Sequence, residues 1–204
     1  SRRSLVEYFH NILQNEKVPK EVIYRLVFAK TEDEIKKVEE SITKLKLWSK
    51  IEEALDNLTV IDPACGSGSF LVGMLNILAE LYKLTFKNIE RPIDDFEIKK
   101  QIIGRSLYGV DVKEWACHVA ELRLWLQLIV ESELSLGDLK TKPLLPNLTF
   151  KIRPGDSLVQ EMGGINLSLR NKEDISPSLK HKITELKHEK LNYFHNNPSR
   201  KYKS

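Results

Sequence analysis

The stretch that decides the fold is Leu58–Phe70, with the sequence LTVIDPACGSGSF. Its first five residues form a short apolar run that is typical of a buried parallel strand. The run ends at Asp62 and passes into a turn rich in Gly and Ser. The fifteen residues from Phe70 onward, FLVGMLNILAELYKL, are apolar on all sides and predict a buried helix. A strand, a turn and a buried helix in this order indicate the beginning of an α/β sheet.

Two further strands and two further helices continue this alternation. SLYGVDV (Ser106–Val112) and LTFKI (Leu148–Ile152) are short apolar runs that predict strands. The capping pattern DDFE at Asp94–Glu97 predicts a helix to about Ile103, and a long helix is predicted over Lys113–Glu133. The order strand, helix, helix, strand, helix, strand favours an open α/β sheet of parallel strands with right-handed crossovers.

The long helix is expected to bury one apolar face. Large apolar side chains recur along it in steps of three and four residues, which predicts an inward stripe made of Trp115, Val119, Leu122, Leu126 and Ile129. Cys117 on the same helix is interpreted as a core residue. Trp115 and Trp125 are interpreted as core or interface residues rather than as platforms on which a base stacks.

The first 57 residues are predicted to be helical. Apolar residues recur at helical spacing from Leu5 to Leu13, and Pro19 suits the first turn of a helix over Lys20–Lys30. TEDE at Thr31–Glu34 is a capping-box sequence, and it predicts a third helix that continues to about Asp56. The chain therefore begins with an all-helical segment that precedes the sheet.

These patterns divide the chain into three parts. Residues 1–57 form a helical N-terminal segment, residues 58–170 an α/β core and residues 171–204 a basic helical tail, with a helix over about Pro177–Phe194. The tail has eight Lys or Arg against four Asp or Glu, whereas the whole chain has a net charge of only +3. Such a tail is typical of a solvated helix, and contact with nucleic acid is the alternative.

Composition excludes several classes of protein. The chain has 204 residues, of which 41% are hydrophobic and 30% charged, as in globular proteins. The two cysteines, Cys65 and Cys117, form no CxxC pattern, and we expect no metal site. His181, His188 and His195 recur every seven residues, about 10.5 Å along a helix, which is too far apart to share one metal.

No run of 18 apolar residues occurs, so we expect no membrane span and a reduced, cytoplasmic setting.

Each of the three predicted strands ends at a loop that carries an acid: Asp62, Asp111 and Asp156. Because ligands of open α/β sheets bind at the carboxyl ends of the strands, we expect the three acids to line one site. The acid after the second strand suits the two hydroxyls of a ribose, and the acid after the third suits the exocyclic amine of a purine. The three turns contain no Lys or Arg, which speaks against a pyrophosphate. The loops predict a pocket for an adenosine-containing ligand without phosphate.

The first loop is neither of the two common phosphate-binding loops. Gly66 and Gly68 allow the backbone to approach a ligand closely, but no Gly-Lys-Ser/Thr sequence follows, so the loop is not a P-loop. A dinucleotide fingerprint would need Gly at position 71, where Leu71 stands. Cys65 lies inside the loop and is interpreted as a packing residue rather than as a nucleophile.

DPACGSGSF, then LYGVDV with its long helix, then LPNLTFKIRPGDSL strongly resembles the N6-adenine DNA methyltransferases. The type found in fused (type IIG) restriction–modification enzymes is the best match. The resemblance covers about Leu58–Val159, and DPACGSG is its most specific motif. It implies a class I methyltransferase-like (Rossmann-like) parallel sheet, present here in incomplete form, and S-adenosylmethionine as the cofactor.

The resemblance also assigns cofactor-binding residues. The first motif surrounds the methionine half of S-adenosylmethionine, Asp111 corresponds to the acid that binds the ribose, and Val112 to the apolar residue beside the adenine ring. Asp156 corresponds to the acid that contacts the adenine amine, with Ser157 next to it. The expected cofactor-binding set is Asp62, Pro63, Ala64, Cys65, Gly66, Gly68, Phe70, Asp111, Val112, Asp156 and Ser157. The implied reaction flips the target adenine out of duplex DNA, and its N6 attacks the sulfonium methyl in line.

The sequence departs from the family at the catalytic motif, Asn/Asp/Ser-Pro-Pro-aromatic. No Pro-Pro pair occurs in the 204 residues. NNPS at Asn196–Ser199 has Ser in place of the second Pro and is followed by Arg200, and no strand is predicted before it. We therefore expect no catalytic residue in this chain and no activity of the chain alone. Its expected partners are duplex DNA and the remainder of the methyltransferase chain or a restriction or specificity partner.

Two other functions are compatible with parts of the sequence. A non-catalytic DNA-binding or assembly module with a vestigial pocket would explain the missing Pro-Pro motif. A nicotinamide-dependent oxidoreductase would use a similar sheet, but its ribose-binding acid is expected about 20 residues after the glycines. Here 43 residues separate Gly68 from Asp111.

Overall fold

The computed structural model describes residues 1–131, 148, 151–158, 161–162, 165–166, 181–182, 184–186, 188–189 and 192. The helices in this part of the chain are α1 (Arg2–Ile12), α2 (Lys20–Phe28), α3 (Glu32–Lys44), α4 (Trp48–Asn57), α5 (Ser69–Asn88), α6 (Asp95–Arg105) and α7 (Glu114–Glu131), with a short 3-10 turn at Gln14–Glu16. The strands are β1 (Val60–Asp62), β2 (Leu107–Asp111), β3 (Ile152–Pro154), β4 (Glu161–Met162) and β5 (Ile165–Asn166). The fold is mostly helical with a small parallel three-stranded sheet, which is an incomplete Rossmann-like α/β fold.

The chain divides into two compact units. One consists of Ser1–Val60, Phe70–Leu107 and Gln127–Ser132, and the other of Ile61–Ser69, Tyr108–Leu126 and Glu133–Ser204. The boundaries that the sequence predicts, at 57/58 and 170/171, stay predictions.

The N-terminal segment is helical, as the sequence predicts, and the capping box at the start of α3 is confirmed. Thr31 Oγ1 accepts from the Glu34 backbone N–H at 3.3 Å, and Glu34 Oε2 accepts from the Thr31 N–H at 3.2 Å. Hydrogen bonds from the backbone N–H of Lys30 and then from that of Thr31 lower the pKa of the Glu34 carboxyl group. The box satisfies N–H groups that the first turn of a helix cannot pair internally.

The expectation of one helix from Thr31 to about Asp56 is wrong. The helix α3 ends at Lys44, Lys46 adopts a left-handed conformation with φ of +54°, and the Leu47 N–H bonds the Ile42 carbonyl at 3.2 Å. This is the six-to-one hydrogen bond of a Schellman motif, which ends a helix. The break buries both Leu47 and Trp48 and leaves Leu45 exposed, a result that spacing alone did not distinguish from a continuous helix.

The helix α5 is a core helix of the first unit, as its apolar sequence predicts. Nine of its residues are buried, namely Leu71, Met74, Leu75, Leu78, Ala79, Leu81, Tyr82, Thr85 and Phe86. In the described part of the chain, α5 is the one helix long and apolar enough to cross a membrane, and half of that apolar window is buried inside the protein. Core helices of proteins outside membranes meet the same criterion, so this observation is weak evidence of a span.

Asp56 is the centre of a polar cluster in the first unit. Its Oδ1 accepts from the hydroxyl of Tyr82 at 2.8 Å and from Gln101 Nε2 at 2.9 Å. Arg105 Nη1 lies 3.7 Å from Asp56 Oδ2. Burial, followed by the hydrogen bond to Asp56, raises the pKa of Tyr82 well above its usual range. The cluster links α4, α5 and α6 and gives the buried Tyr82 hydroxyl a partner.

The three sheet strands lie in the order β1-β2-β3. β2 and β3 are parallel, with Gly109 opposite Ile152 and Asp111 opposite Pro154. The third strand was expected at Leu148–Ile152 and begins four residues later. Leu148 O instead accepts from the N–H groups of Lys151 and Ile152, at 2.7 and 3.1 Å, and so closes a turn. The expectation of a buried first strand is not met at Ile61, which is 65% exposed, whereas Val60 and Asp62 are half-buried.

The predicted inward stripe of the long helix is the outward one. Trp115 is 66% exposed and Leu122 52%, and Val119, Leu126 and Ile129 are exposed as well. The buried face of α7 consists of Ala116, Cys117, Ala120, Leu124 and Leu128. The helix carries two apolar stripes, and the inward one has small residues, Ala116, Cys117 and Ala120, in its first half and leucines, Leu124 and Leu128, in its second half.

A two-stranded antiparallel pair, β4 and β5, is additional to the sequence prediction. Glu161 pairs with Asn166 and Met162 with Ile165. The Gly-Gly sequence between the strands is a hairpin signal. In the predicted tail helix, the described residues from His181 to Asn192 are helical, whereas His195 and Asn196–Ser199 lie outside the described residues.

We predict that Tyr82→Phe lowers the free energy of unfolding by about 1 kcal/mol, because one hydrogen bond of the Asp56 cluster is lost while Gln101 still satisfies the carboxylate. The matched control is Tyr24→Phe, since Tyr24 is 46% exposed and stacks on Phe28 through its ring. The control should change stability by less than about 0.5 kcal/mol. Denaturant unfolding measures both. Equal effects of the two variants would show that the cluster contributes no stability.

Candidate functional site

The three loops at the carboxyl ends of the strands lie against one another in the second unit. The first two loops are joined by two hydrogen bonds, Gly66 N–H to Asp111 Oδ2 and Cys65 N–H to the Val110 carbonyl, both at 2.9 Å. The Gly155 N–H bonds the Asp111 carbonyl at 2.8 Å and so joins the third loop to the second. The expected meeting of the three loops at one edge of the sheet is therefore present in the structure.

The third loop also contacts the first directly. The hydroxyl of Ser157 donates to the Pro63 carbonyl at 2.8 Å. Asp156 Oδ1 accepts from the Leu158 N–H at 2.9 Å, which closes a small turn and leaves the Asp156 side chain exposed. Asp62 makes a similar turn, in which its Oδ1 accepts from the Ala64 N–H at 3.3 Å. Both acids thus shape their own loops, the local role that Asp commonly has in turns.

Asp111 is the most connected of the three acids. One carboxylate oxygen accepts from Gly66 N–H and the other from Lys113 N–H, each at 2.9 Å. The hydrogen bond from the Lys113 N–H, followed by that from the Gly66 N–H, lowers the pKa of Asp111, so the group is ionised at neutral pH. A carboxylate oxygen can accept about two hydrogen bonds, and each oxygen of Asp111 therefore retains one acceptor position. The side chain can receive two further donors, such as a pair of adjacent hydroxyls.

The two glycines of the first turn serve different purposes. Both have positive φ, +50° at Gly66 and +76° at Gly68. A Cβ added at Gly68 would lie 2.9 Å from the Cβ of Ala120, so the first turn packs closely against α7 at this alanine. A Cβ at Gly66 would meet nothing within 4 Å. The open space beside Gly66 and the acceptors of Asp111 form a cradle with the chemistry that a ribose needs.

Apolar side chains at the loops are exposed. Val112 directly follows Asp111 and is 65% exposed, and Leu158 in the third loop is exposed as well. Phe70 also belongs to the set of expected cofactor-binding residues, and its side chain is 43% exposed. Exposed apolar groups beside hydrogen-bonding groups are typical of ligand sites, where a flat ring covers them.

Neither cysteine has the properties of a nucleophile. Cys65 and Cys117 are buried, and burial raises the pKa of Cys65 to about 11. At neutral pH the Cys65 group is therefore a thiol, and the thiol is the unreactive form. This agrees with the interpretation of Cys65 as a packing residue. Among the described residues no group of three His, Cys, Asp or Glu side chains could hold a metal ion.

Arg123 is a residue of this site that the sequence analysis did not identify. It lies on α7, and its Nη1 donates to Ser69 Oγ at 2.7 Å and to Ser67 at Oγ (3.2 Å) and O (3.3 Å). The turn contains no cation of its own, but the helix brings one to it. One feature of the sequence could have identified it, because Arg123 is the only Lys or Arg in α7, an otherwise largely apolar helix.

We predict that Gly68→Ala lowers the free energy of unfolding more than Gly66→Ala. Both variants suffer left-handed strain of about 1–2 kcal/mol, and Gly68→Ala adds a clash with Ala120 worth about 1–3 kcal/mol. The test is denaturant unfolding of both variants, of Ala120→Gly and of the double variant Gly68→Ala/Ala120→Gly, in which the closest contact, with the Ala120 Cβ, is removed while the Ala120 Cα stays 3.1 Å away. Purely additive effects in the double variant would contradict the close contact.

Several known proteins are similar to the chain. A Methanocaldococcus jannaschii protein described as a putative type II restriction enzyme and methyltransferase is 35% identical over 157 residues, which are 76% of this chain and 13% of that protein. The Eco57I type II restriction enzyme and methyltransferase of Escherichia coli is 31% identical over 113 residues, or 50% of this chain and 11% of that protein. DNA methyltransferase A of Bacillus subtilis is 28% identical over 82 residues, or 39% of this chain and 9% of that protein. No solved structure matches the chain.

The matches of the chain thus span about a tenth of the length of these relatives. A family model agrees with them. The model described as "MmeI, DNA-methyltransferase domain" matches residues 34–161, which is more than half of the chain and includes all three strand-end loops. The chain therefore belongs to the MmeI DNA-methyltransferase domain family, as a methyltransferase portion of the type IIG restriction–modification kind.

Proposed function

We propose that the chain is the cofactor-binding part of a restriction–modification methyltransferase, one that transfers the methyl group of S-adenosylmethionine to N6 of adenine in duplex DNA. The observation that carries the proposal is the ionised Asp111, which holds the Gly66 N–H at 2.9 Å and retains acceptor positions beside an open space. The family supports DNA methyl transfer.

The residues present suit each part of this cofactor. In the proposal the Asp111 carboxylate accepts the two ribose hydroxyls, and the exposed Val112 lies against the adenine ring. Asp156 accepts from the adenine amine, with Ser157 beside it, and the loop Asp62–Gly68 surrounds the amino-acid end. Phe70, in the first turn of α5, is also one of the proposed cofactor-binding residues. When bound, the cofactor supplies an electrophilic methyl group on a sulfonium centre.

These residues position the methyl donor and do not hold the target base. A flipped adenine needs acceptors for its N6 protons and a ring on which to stack, because unstacking costs a few kcal/mol. The family's Pro-Pro-aromatic motif, which supplies them, does not occur in the 204 residues. We therefore assign no catalytic residue here and infer that the chain alone transfers no methyl group. The DNA and the other parts of the enzyme are its proposed partners.

A first test is the affinity for S-adenosylhomocysteine, the demethylated cofactor, measured by calorimetry with the natural full-length protein. We predict that Asp111→Ala weakens binding by about 1–3 kcal/mol, since both ribose hydroxyls lose their acceptor. Asp111→Asn should lose less, because its amide oxygen still accepts one hydrogen bond.

The control for this test is Asp94→Ala. Asp94 also accepts from two backbone N–H groups, at the start of α6, and lies outside the proposed site. It should lower stability by about 1 kcal/mol without changing the affinity. Equal affinities of wild type and Asp111→Ala would contradict the ribose assignment, and tighter binding of NAD than of S-adenosylhomocysteine would favour an oxidoreductase.

A second test measures the reaction itself. Full-length protein, duplex DNA and methyl-labelled cofactor should yield N6-methyladenine in the digested nucleosides, as identified by mass spectrometry. The 204-residue chain under the same conditions should yield none, because donor and acceptor must be held about 3 Å apart and in line.

Methylcytosine as the product would contradict adenine as the target. Incorporation by the 204-residue chain alone, abolished by Asn197→Ala, would show that NNPS is the catalytic motif after all. If the full-length protein binds DNA but methylates no base, the non-catalytic module is the correct alternative.

A further inference from the structure

Arg123 can donate more hydrogen bonds than it makes with the described residues. All three of its hydrogen bonds come from Nη1, and they end on the hydroxyls of Ser67 and Ser69 and on the Ser67 carbonyl. Nη2 and Nε have no acceptor among the described residues. An arginine presents five N–H groups in a planar fork, so three of them are available to a ligand.

The charge of Arg123 is also uncompensated within the described part of the chain. Its three acceptors are neutral, and its side chain is half-buried. The two acids of the neighbouring loops already accept from backbone N–H groups, Asp62 from Ala64 and Asp111 from Gly66 and Lys113. A cation that is partly withdrawn from water and lacks an anionic partner gains most from an anionic ligand.

We propose that Arg123 binds the carboxylate at the amino-acid end of the cofactor and holds the turn Gly66–Ser69 in the conformation that receives it. This inference rests on the proposed function, which places the amino-acid end at the first loop. The carboxylate is the one anionic group of S-adenosylmethionine, and a guanidinium fork can bind it through two parallel hydrogen bonds. Arg123 would thereby select the intact cofactor over adenosine compounds that lack the amino acid.

Two ligands separate carboxylate recognition from maintenance of the turn. S-adenosylhomocysteine carries the carboxylate, whereas 5′-deoxy-5′-methylthioadenosine has the same adenosine and thioether without it. We expect Arg123→Gln to weaken binding of the first by roughly ten-fold or more and of the second by less than about two-fold. Arg123→Lys keeps the charge but not the fork and should lie between wild type and Arg123→Gln for S-adenosylhomocysteine. Calorimetry with the full-length protein gives all of these affinities.

The matched control is Arg105→Gln, which removes an arginine that lies 3.7 Å from Asp56 at the end of α6. It should change neither affinity. Equal weakening of both ligands by Arg123→Gln would overturn the inference and leave Arg123 with a purely structural role in the turn. If the wild-type protein binds methylthioadenosine as tightly as S-adenosylhomocysteine, the carboxylate is not recognised and the inference is wrong, although the adenosine site stands. If it binds neither ligand, the proposed function fails and the inference fails with it.

Discussion

The hydrogen bond from Gly66 N–H to Asp111 Oδ2 is the interaction on which the site depends. It joins the loop after β1 to the loop after β2, and the same aspartate accepts from Lys113 through its other carboxylate oxygen and from Gly155 through its carbonyl. One residue therefore sets the spacing of all three loops and offers the remaining acceptors to a ligand. The backbone donors that hold Asp111 also lower its pKa, so loop geometry and the charge of the site have one cause.

A second constraint comes from the other glycine. Gly68 leaves no room for a Cβ against Ala120, which brings α7 close to the first turn. This close approach explains why the inward face of α7 has an alanine, and no larger side chain, at position 120. It also places Arg123, three residues after Ala120 on the same helix, where its guanidinium reaches Ser67 and Ser69. The packing of a glycine thus brings a charged group, Arg123, to the loop after β1.

The sequence predicted the parts of the structure that depend on local chemistry. The Thr31–Glu34 capping box, the turn at the end of β1 and the acids after the strands all have signals within a few residues. The errors concern choices that only long-range contacts make. Spacing did not show which of its two apolar stripes α7 turns inward, because that choice depends on long-range packing such as the contact of Ala120 with Gly68, some fifty residues away in the chain. Arg123 was missed for the same reason. The start of β3 was misplaced because Leu148–Ile152 has strand composition but closes a turn.

We propose that the three strand-end loops form one site for the adenosine part of a methyl donor. The most direct measurement is a crystal structure of the full-length protein with S-adenosylhomocysteine. We expect both ribose hydroxyls to lie within about 3.2 Å of the Asp111 carboxylate, and the adenine ring to lie beside Val112. A ligand bound elsewhere, with Asp111 still bonded only to Gly66 and Lys113, would contradict it.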